Sequence, residues 1–387
     1  MQVDCVIVDE AGQISLGAIS LVLRSLAIQG RIIIAGDSEQ LAPILTAQYP
    51  QSKSGSLFGS VLDCFRFAHL HSKVSESQEE ADVPASQSTI VQLTENFRLN
   101  PDLGEFISTI YARRFRPQKG QARQLAMALK SLSSISNETL IGIQPTVTDK
   151  VQSFLVALSH VMLNQPQDIL VEPEIHSIAP TVSSEPGAVF DTSLMHRPVS
   201  LSLIRLQTTS LTDHVGYESH VHVEAAVAAS LVKLLQSCSP DEDIFVATPH
   251  RIQREAVNAA LSRVKQERIK GNLDKGFQRL STSRSKVTVD TVERLQGSEA
   301  AFVICLFSLP KAHTSGLGFL LERRRLNVAI SRAKALCILV TSDEVLRPSV
   351  KVLADEEIAI GYTFLKAYEK RAWTYDLAFD LDNFFDV

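Results

Sequence analysis

Val6-Ile7-Val8-Asp9-Glu10-Ala11 is the stretch on which the fold turns: the apolar run Val3–Val8 ends in two adjacent carboxylates. A run that is nearly continuous in apolar character, rather than alternating, reads as a buried parallel strand. The same signature recurs at Arg31–Ala35, Asp243–Val246, Lys286–Val289, Ala301–Phe307 and Leu336–Val340, each run closing on a polar or glycine-bearing turn. Between them lie helix-like segments: Val221–Leu235, apolar at Val223, Ala226, Val227, Leu231 and Leu234, then Arg251–Leu261 and Arg325–Lys334. Strands alternating with helices predict an α/β fold, a parallel sheet with helices on both faces.

At about 150 residues per domain, 387 residues suggest two or three domains. With 45% hydrophobic and 21% charged residues, the composition excludes disordered, collagen-like and low-complexity classes. Nothing approaches the run of about 18 uncharged apolar residues that a membrane span needs. Met1-Gln2-Val3-Asp4 leads into a strand rather than a signal peptide, so a soluble intracellular protein of nucleus or cytoplasm, away from membranes, is expected. Cys5, Cys64, Cys238, Cys305 and Cys337 stand singly, without zinc or redox-pair spacing. The net charge is −5, yet ten Lys/Arg between positions 250 and 286 face only Glu255, Glu267 and Asp274. That stretch suits phosphate tracking, and equally a solvated helical face.

Residues 72–88 are polar without apolar periodicity and read as a flexible linker and domain boundary. A second irregular region, about 116–197, begins basic, carries a helix-like piece near Arg123–Leu132 and becomes rich in Pro, Ser and Thr, which reads as an insertion. The expected organisation is therefore 1–71, linker 72–88, a second domain over 89–345 with that insertion, and a tail over 346–387. The tail's last fifteen residues hold Trp373, Tyr375, Phe379, Phe384 and Phe385 with four aspartates and no base. Such a segment either docks on a partner or folds back on its own domain.

In open α/β sheets ligands bind at the carboxyl ends of the strands, where Asp9 and Glu10 fall. There Asp9 can hold a Mg2+ coordinated to nucleoside triphosphate oxygens, and Glu10 can orient or deprotonate the attacking water. The second strand runs into Gly36-Asp37-Ser38-Glu39-Gln40-Leu41-Ala42-Pro43. Gln40 both donates and accepts, which suits a sensor of a terminal phosphate, although the segment alone also reads as a β-turn. Farther on stand Phe97-Arg98 and Arg325-Leu326-Asn327-Val328-Ala329-Ile330-Ser331-Arg332-Ala333-Lys334. A guanidinium forks two donors towards phosphate oxygens, and singly each arginine also fits a surface ion pair. Arg325 and Arg332 are seven apart, hence expected on one helical face.

In this order and on these strands, the segments resemble the C-terminal motor motifs of superfamily 1 helicases, in the nonsense-mediated-decay and replication helicase group. Asp9-Glu10-Ala11 looks like motif II, Gly36-Asp37 with Gln40 like motif III, and Phe97-Arg98 like motif IV. Thr288 to Glu299, with Asp290 and Gln296-Gly297, looks like motif V, and Arg325 to Ala333 like motif VI. The resemblance covers about 1–115 and 198–345. It implies two RecA-like P-loop NTPase domains, the first truncated and the second complete with its insertion, acting on ATP and Mg2+ and on single-stranded DNA or RNA. By resemblance Asp9 holds Mg2+, Glu10 activates water, Gln40 senses the γ-phosphate, and Arg98 and Arg332 are arginine fingers. Asp37, Gly297, Glu299 and Arg325 line the nucleotide site, while Thr248, Arg251 and Thr288 contact the nucleic-acid backbone.

No Gly-x-x-x-x-Gly-Lys-Ser/Thr sequence occurs in the chain, so nothing is expected to cradle the α- and β-phosphates. This chain alone is therefore expected not to hydrolyse ATP, and its first domain to leave an edge and face open to a protein partner. Two functions compete: the motor portion of an ATP-dependent helicase or translocase, and a hydrolysis-deficient nucleic-acid-binding or scaffold protein that retains the fold. His220-Val221-His222-Val223-Glu224 alternates metal-ligand types at strand spacing, but Glu224-Ala225 opens a helix, where such histidines are usually surface residues.

Overall fold

The computed structural model describes residues 2–44, 59–75, 90–112, 114–117, 123–134, 143–164, 200–210, 216–274, 286–311, 313–382 and 384. The chain divides into two compact units, Met1–Leu93 and Thr94–Val387.

The first unit contains β1 (Val3–Val8), α1 (Leu16–Leu23), β2 (Leu26–Ile34) and α2 (Val61–Ser75). β1 and β2 are parallel, with Val6 opposite Ile32 and Val8 opposite Ile34, so the chain must cross over between them, which α1 does. Ser15 caps α1 by accepting from the Ala18 amide. Val6, Val8, Ala11, Ile19 and Val61 form a small core, while Ile7 and its partner Ile33 stay exposed. β2 starts five residues before the expected Arg31 because Gln29-Gly30 interrupts an apolar run that is already paired at Leu26.

The second unit opens with β3 (Glu95–Asn96), α3 (Pro101–Ile107) and β4 (Arg116–Pro117), followed by α4 (Arg123–Ser131) and α5 (Pro145–Leu163). Next come β5 (Leu201–Thr209), α6 (Tyr217–Cys238), β6 (Ile244–Thr248), α7 (Arg251–Asp274), β7 (Val287–Thr291) and β8 (Ala300–Phe307). It closes with α8 (Leu317–Leu320), α9 (Arg323–Ile330), β9 (Ala333–Thr341), α10 (Asp343–Leu346), α11 (Glu356–Arg371) and β10 (Trp373–Asp380). Six parallel strands lie in the order β10-β5-β9-β8-β6-β7. Central β8 is buried along its whole length, which is why it reads as an unbroken apolar run. The α/β class with helix-flanked parallel strands is as expected.

Several boundaries differ. The region read as an insertion contributes Leu125, Leu129, Leu132, Val151, Phe154, Leu155 and Leu158 to the principal core, so α4 and α5 are integral to this unit. Residues 165–197 of that region, and 76–88 of the linker, lie outside the described residues; 72–75 are the last turn of α2. The aromatic tail folds back: β10 pairs with β5 from Trp373↔Ser202 to Asp380↔Thr209, and Trp373 stacks on Phe154 of α5. The helix expected over Arg325–Lys334 ends at Ile330 with Ser331 as its cap, and Lys334 already belongs to β9. Arg325 and Arg332 therefore share no helical face. α6 is long and apolar enough to cross a membrane by length and composition, but its apolar side chains are buried in the core of this unit.

Candidate functional site

In the first unit the loops leaving β1 and β2 are bound backbone to backbone. The Ala11 amide donates to Ala35 O at 2.9 Å and the Ala35 amide to Val8 O at 2.8 Å. Glycine is needed on both sides of this seam: a Cβ on Gly12 would lie 2.5 Å from Asp37 O, and one on Gly36 2.9 Å from the Ala11 nitrogen. α2 closes the seam from outside, its Val61 and Leu62 amides donating to Ile14 O and Ala11 O.

Asp9 and Glu10 project from this seam and are exposed. Asp9 Oδ1 accepts from the Glu10 amide at 2.8 Å, and Glu10 Oε2 from Gln13 Nε2 at 2.9 Å. Glu10 has a left-handed backbone, φ 52°, which costs a non-glycine residue about 1–2 kcal/mol and turns its carboxylate off the strand line. Half-buried Asp37 accepts from the Glu39 amide at 2.9 Å and from Gln40 Nε2 at 3.1 Å, so Gln40 is held on Asp37. Among the described residues no three His, Cys, Asp or Glu side chains gather into a protein-only metal cage. A single carboxylate such as Asp9 nevertheless fits Mg2+, which keeps water and phosphate as most of its ligands.

In the second unit the centre is Glu299. Its carboxylate receives Arg98 Nε at 2.7 Å and Lys334 Nζ at 3.1 Å. Burial works to raise its pKa, but Lys334 and Arg98 outweigh burial and hold the carboxyl below its ordinary range. Arg98 is aimed by an Asx turn in which Asn96 Oδ1 accepts the Arg98 and Leu99 amides, both at 2.9 Å. Asn100 then caps α3 and donates to Ala335 O on β9 at 3.0 Å, which anchors this segment beside Lys334. Gly297, at φ 79°, makes the turn that presents Ser298 and Glu299. Arg332 is 2% exposed, its guanidinium donating to Ser298 O, Val328 O and Ser331 Oγ at 3.0–3.2 Å. Arg98, Gly297, Glu299 and Arg332 are thus brought together, with Lys334 as an added cation. Lys334 lay hidden in the sequence because it was read as helical; on β9 it stands two residues beyond Arg332.

Other expected site residues lie elsewhere. Arg325 is buried at the start of α9, with Nε on Glu293 at 3.1 Å, Nη1 on Glu322 and on Phe319 O, and its guanidinium 3.5 Å over the Phe319 ring. Its Nε and Nη1 are thus both engaged within the protein. Thr248 ends β6 fully buried, its hydroxyl donating to Asp290 O at 3.3 Å, whereas Arg251 is exposed at the start of α7. Thr288 sits inside edge strand β7 opposite Phe245; the residue level with Thr248 is Thr291. Asp290 between them pairs with Arg254 and Arg294. His220 and His222 lie on a helix, so they point apart: His222 is exposed and His220 buried, which rules out a shared metal.

The AAA domain family matches residues 70–344. The Homo sapiens protein "DNA replication ATP-dependent helicase/nuclease DNA2" is 24% identical over 342 residues, covering 87% of this chain and 24% of that protein. ECM32 of Saccharomyces cerevisiae, named for a proposed ATP-dependent RNA helicase activity, is 30% identical over 184 residues, 40% of this chain and 16% of that protein. A solved structure titled "The structure of PRRSV helicase" overlaps 89% of this chain and 36% of that one, at 12% identity and a TM-score of 0.30. The chain spans about a quarter of the length of DNA2.

Proposed function

Because the chain belongs to the AAA domain family, the C-terminal region of superfamily 1 helicases, we propose that it is the C-terminal motor portion of an ATP-dependent helicase or translocase acting on single-stranded DNA or RNA. The observation that carries this reading is the pairing of Arg98 and Lys334 with Glu299, two cations against one carboxylate, on a turn whose Ser298 carbonyl is held by Arg332. Such a surplus of fixed positive charge suits an anionic phosphate better than it suits the protein alone.

Bound Mg-ATP supplies the terminal phosphoryl bond that water cleaves. In this reading Asp9 would hold the Mg2+, and Glu10 would orient the attacking water and accept its proton. Gln40, oriented by Asp37, senses the γ-phosphate. Arg98 acts as the arginine finger and Glu299 lines the nucleotide site beside it, whereas Arg332, expected as a second finger, is buried with its guanidinium on Val328 O, Ser298 O and Ser331 Oγ and braces the turn that carries Glu299. Arg325 supports this group indirectly, by tying α9 to Glu293. The nucleic-acid backbone is met at the carboxyl end of the second sheet by Arg251 at the amino-terminal end of α7. Thr248 and Thr288 belong to the scaffold beneath that contact.

In the full-length protein, Arg98→Ala and Glu10→Gln are expected to lower nucleic-acid-stimulated ATPase by about a thousandfold, with the far-ultraviolet circular dichroism unchanged. Unchanged turnover in both variants rejects these roles. Salt-sensitive oligonucleotide binding by the wild type without any turnover establishes the hydrolysis-deficient binding protein instead.

A further inference from the structure

Glu224, on α6, has no solvent exposure and, among the described residues, no ion-pair partner, yet both its oxygens accept hydrogen bonds. Oε1 accepts from Ser308 Oγ at 2.6 Å and Oε2 from Gln253 Nε2 at 2.7 Å. Gln253, also buried, turns its Oε1 to the His250 backbone amide at 3.2 Å. Ser308 Oγ meets His220 Nε2 at 2.8 Å, and His220 Nδ1 meets Thr208 Oγ1 at 2.9 Å. One carboxylate therefore ties together the chain leaving β5, β6 and β8. The bond to the His250 amide caps the turn Thr248–Arg251 from below, and that is the turn the proposed function sets against nucleic acid.

Burial pushes the Glu224 carboxyl up to about 7, opposed by Ser308 and Gln253, so it changes charge near neutrality. Burial lowers His220 to about 4, which leaves its imidazole neutral with one donor and one acceptor. The chain has two complete arrangements. With Glu224 ionised, Ser308 donates to it, His220 Nε2–H donates to Ser308, and Thr208 donates to Nδ1. With one proton added on Oε1, Glu224 donates to Ser308, Ser308 to Nε2, and Nδ1–H to Thr208. The second arrangement turns the charge-assisted Gln253–Glu224 bond into a weaker neutral one. The groups facing Glu224 are Tyr217 and His220 of α6, Gln253 of α7 with His250 before it, Thr208 of β5 and Ser308 after β8. Tyr217 is raised by burial and by the Glu224 charge, and His250 is lowered by burial and Arg325 against the opposing pull of Glu293. α5 contributes apolar Phe154, Leu155 and Leu158 to this core.

We propose that Glu224 is a positioning residue: its carboxylate aims Gln253, Gln253 holds the His250 amide, and the Thr248–Arg251 turn grips the nucleic-acid backbone most tightly when the carboxylate is ionised. The nucleic-acid half of this statement rests on the function proposed above. The test is anisotropy of fluorescein-labelled oligothymidylate and oligouridylate with the full-length protein between about pH 6 and about pH 8.5, beside amide hydrogen exchange at His250. The wild type is expected to bind about tenfold more weakly at the acid end. Glu224→Gln, which copies the protonated carboxyl in shape, should bind at the weak level throughout, and Gln253→Ala should bind weakly with the His250 amide several-fold less protected. Arg251→Ala should weaken binding at every pH while leaving that protection intact. If Glu224→Gln keeps the wild-type pH profile and Gln253→Ala keeps the His250 protection, the positioning role is overturned. If the wild type binds neither oligonucleotide, the proposed function falls, and the exchange rates of the two core variants still decide whether Glu224 sets the turn.

Discussion

Gly361→Ala is expected to destabilise the second unit although it replaces the poorer helix former. Gly361 lies buried in α11, against the chain that enters α9. A Cβ built there falls 1.4 Å from Leu321 O, 2.6 Å from Leu321 C and 3.1 Å from the Arg323 nitrogen. Ordinary contact begins near 3.4 Å, so α11 or the Leu321–Arg323 backbone must retreat by about 2 Å. Retreat of α11 strips Phe364 from its 4.8 Å stack on Phe106 and draws the Tyr368 hydroxyl off Ser202 O and Cys337 O, at 3.0 and 3.1 Å. Helix propensity favours the alanine by about 1 kcal/mol. Overpacking against backbone costs about 1–3 kcal/mol or more, and losing one buried hydrogen bond about another 1 kcal/mol. The net expectation is a loss of about 1–3 kcal/mol, read as a lower urea midpoint with an unchanged slope. Gly318→Ala is the control: its Cβ would meet Ile358 Cδ1 at 3.0 Å, the far end of a flexible side chain, so its midpoint should shift far less. Equal or greater stability of Gly361→Ala would refute the seating of α11 on Leu321 and, with it, the placement of α9 behind Arg325 and Arg332.

Glu224 also links stability to pH. Its folded carboxyl titrates near 7 against an ordinary value near 4.5, so the folded chain holds the proton longer than the unfolded one. The Glu224 contribution to stability should therefore fall as pH rises from about 4.5 through about 7, by roughly 3 kcal/mol, and level off above, and it is read as the difference between the wild type and Glu224→Gln. Glu224→Gln removes that step, and a flat difference between the two urea profiles over this window contradicts the burial argument. His220, depressed from 6.5 to about 4, contributes stability that is lost as pH falls through that same window; it offsets the Glu224 change in the wild type and is common to both proteins, so it cancels in their difference. Arg205 on β5 stands between Asp343, Glu369 and Asp376 at 3.4–3.7 Å and fastens β10 and α11 to the sheet. Arg205→Ala leaves these three carboxylates to repel one another and should cost about 1–3 kcal/mol at low salt, partly recovered in high salt; a thermal melt insensitive to salt argues against it.

The parallel core was open to reading because β6, β8 and most of β9 are buried on both faces and leave runs of apolar residues, whereas β1 leaves such a run although the face bearing Ile7 is exposed. β5 and β10 escaped notice. β10 is an edge strand whose alternate residues Asp376, Ala378 and Asp380 face solvent, so it reads as an acidic tail until Ser202–Thr209 lies beside it. The carboxylates of Asp9 and Glu10 were legible from their position at a strand's carboxyl end and Arg98 from the affinity of a guanidinium for phosphate, while Glu299 was marked only by the resemblance to the helicase motifs. Arg325 was expected at the nucleotide site, and only the folded chain shows Glu293, Glu322 and Phe319 around its guanidinium.

Residue order alone therefore decided which segments become strands and which polar groups stand at their carboxyl ends, because both follow from local periodicity of two or about 3.6 residues. Folding decided which of those groups meet. Arg98 and Glu299 are separated by 201 positions and lie 2.7 Å apart, and Gln253 reaches Glu224 across 29. Such pairings depend on strand order and on where a helix stops, as at Ser331. Those features are settled by packing the whole core at once, and no window of neighbouring residues contains them.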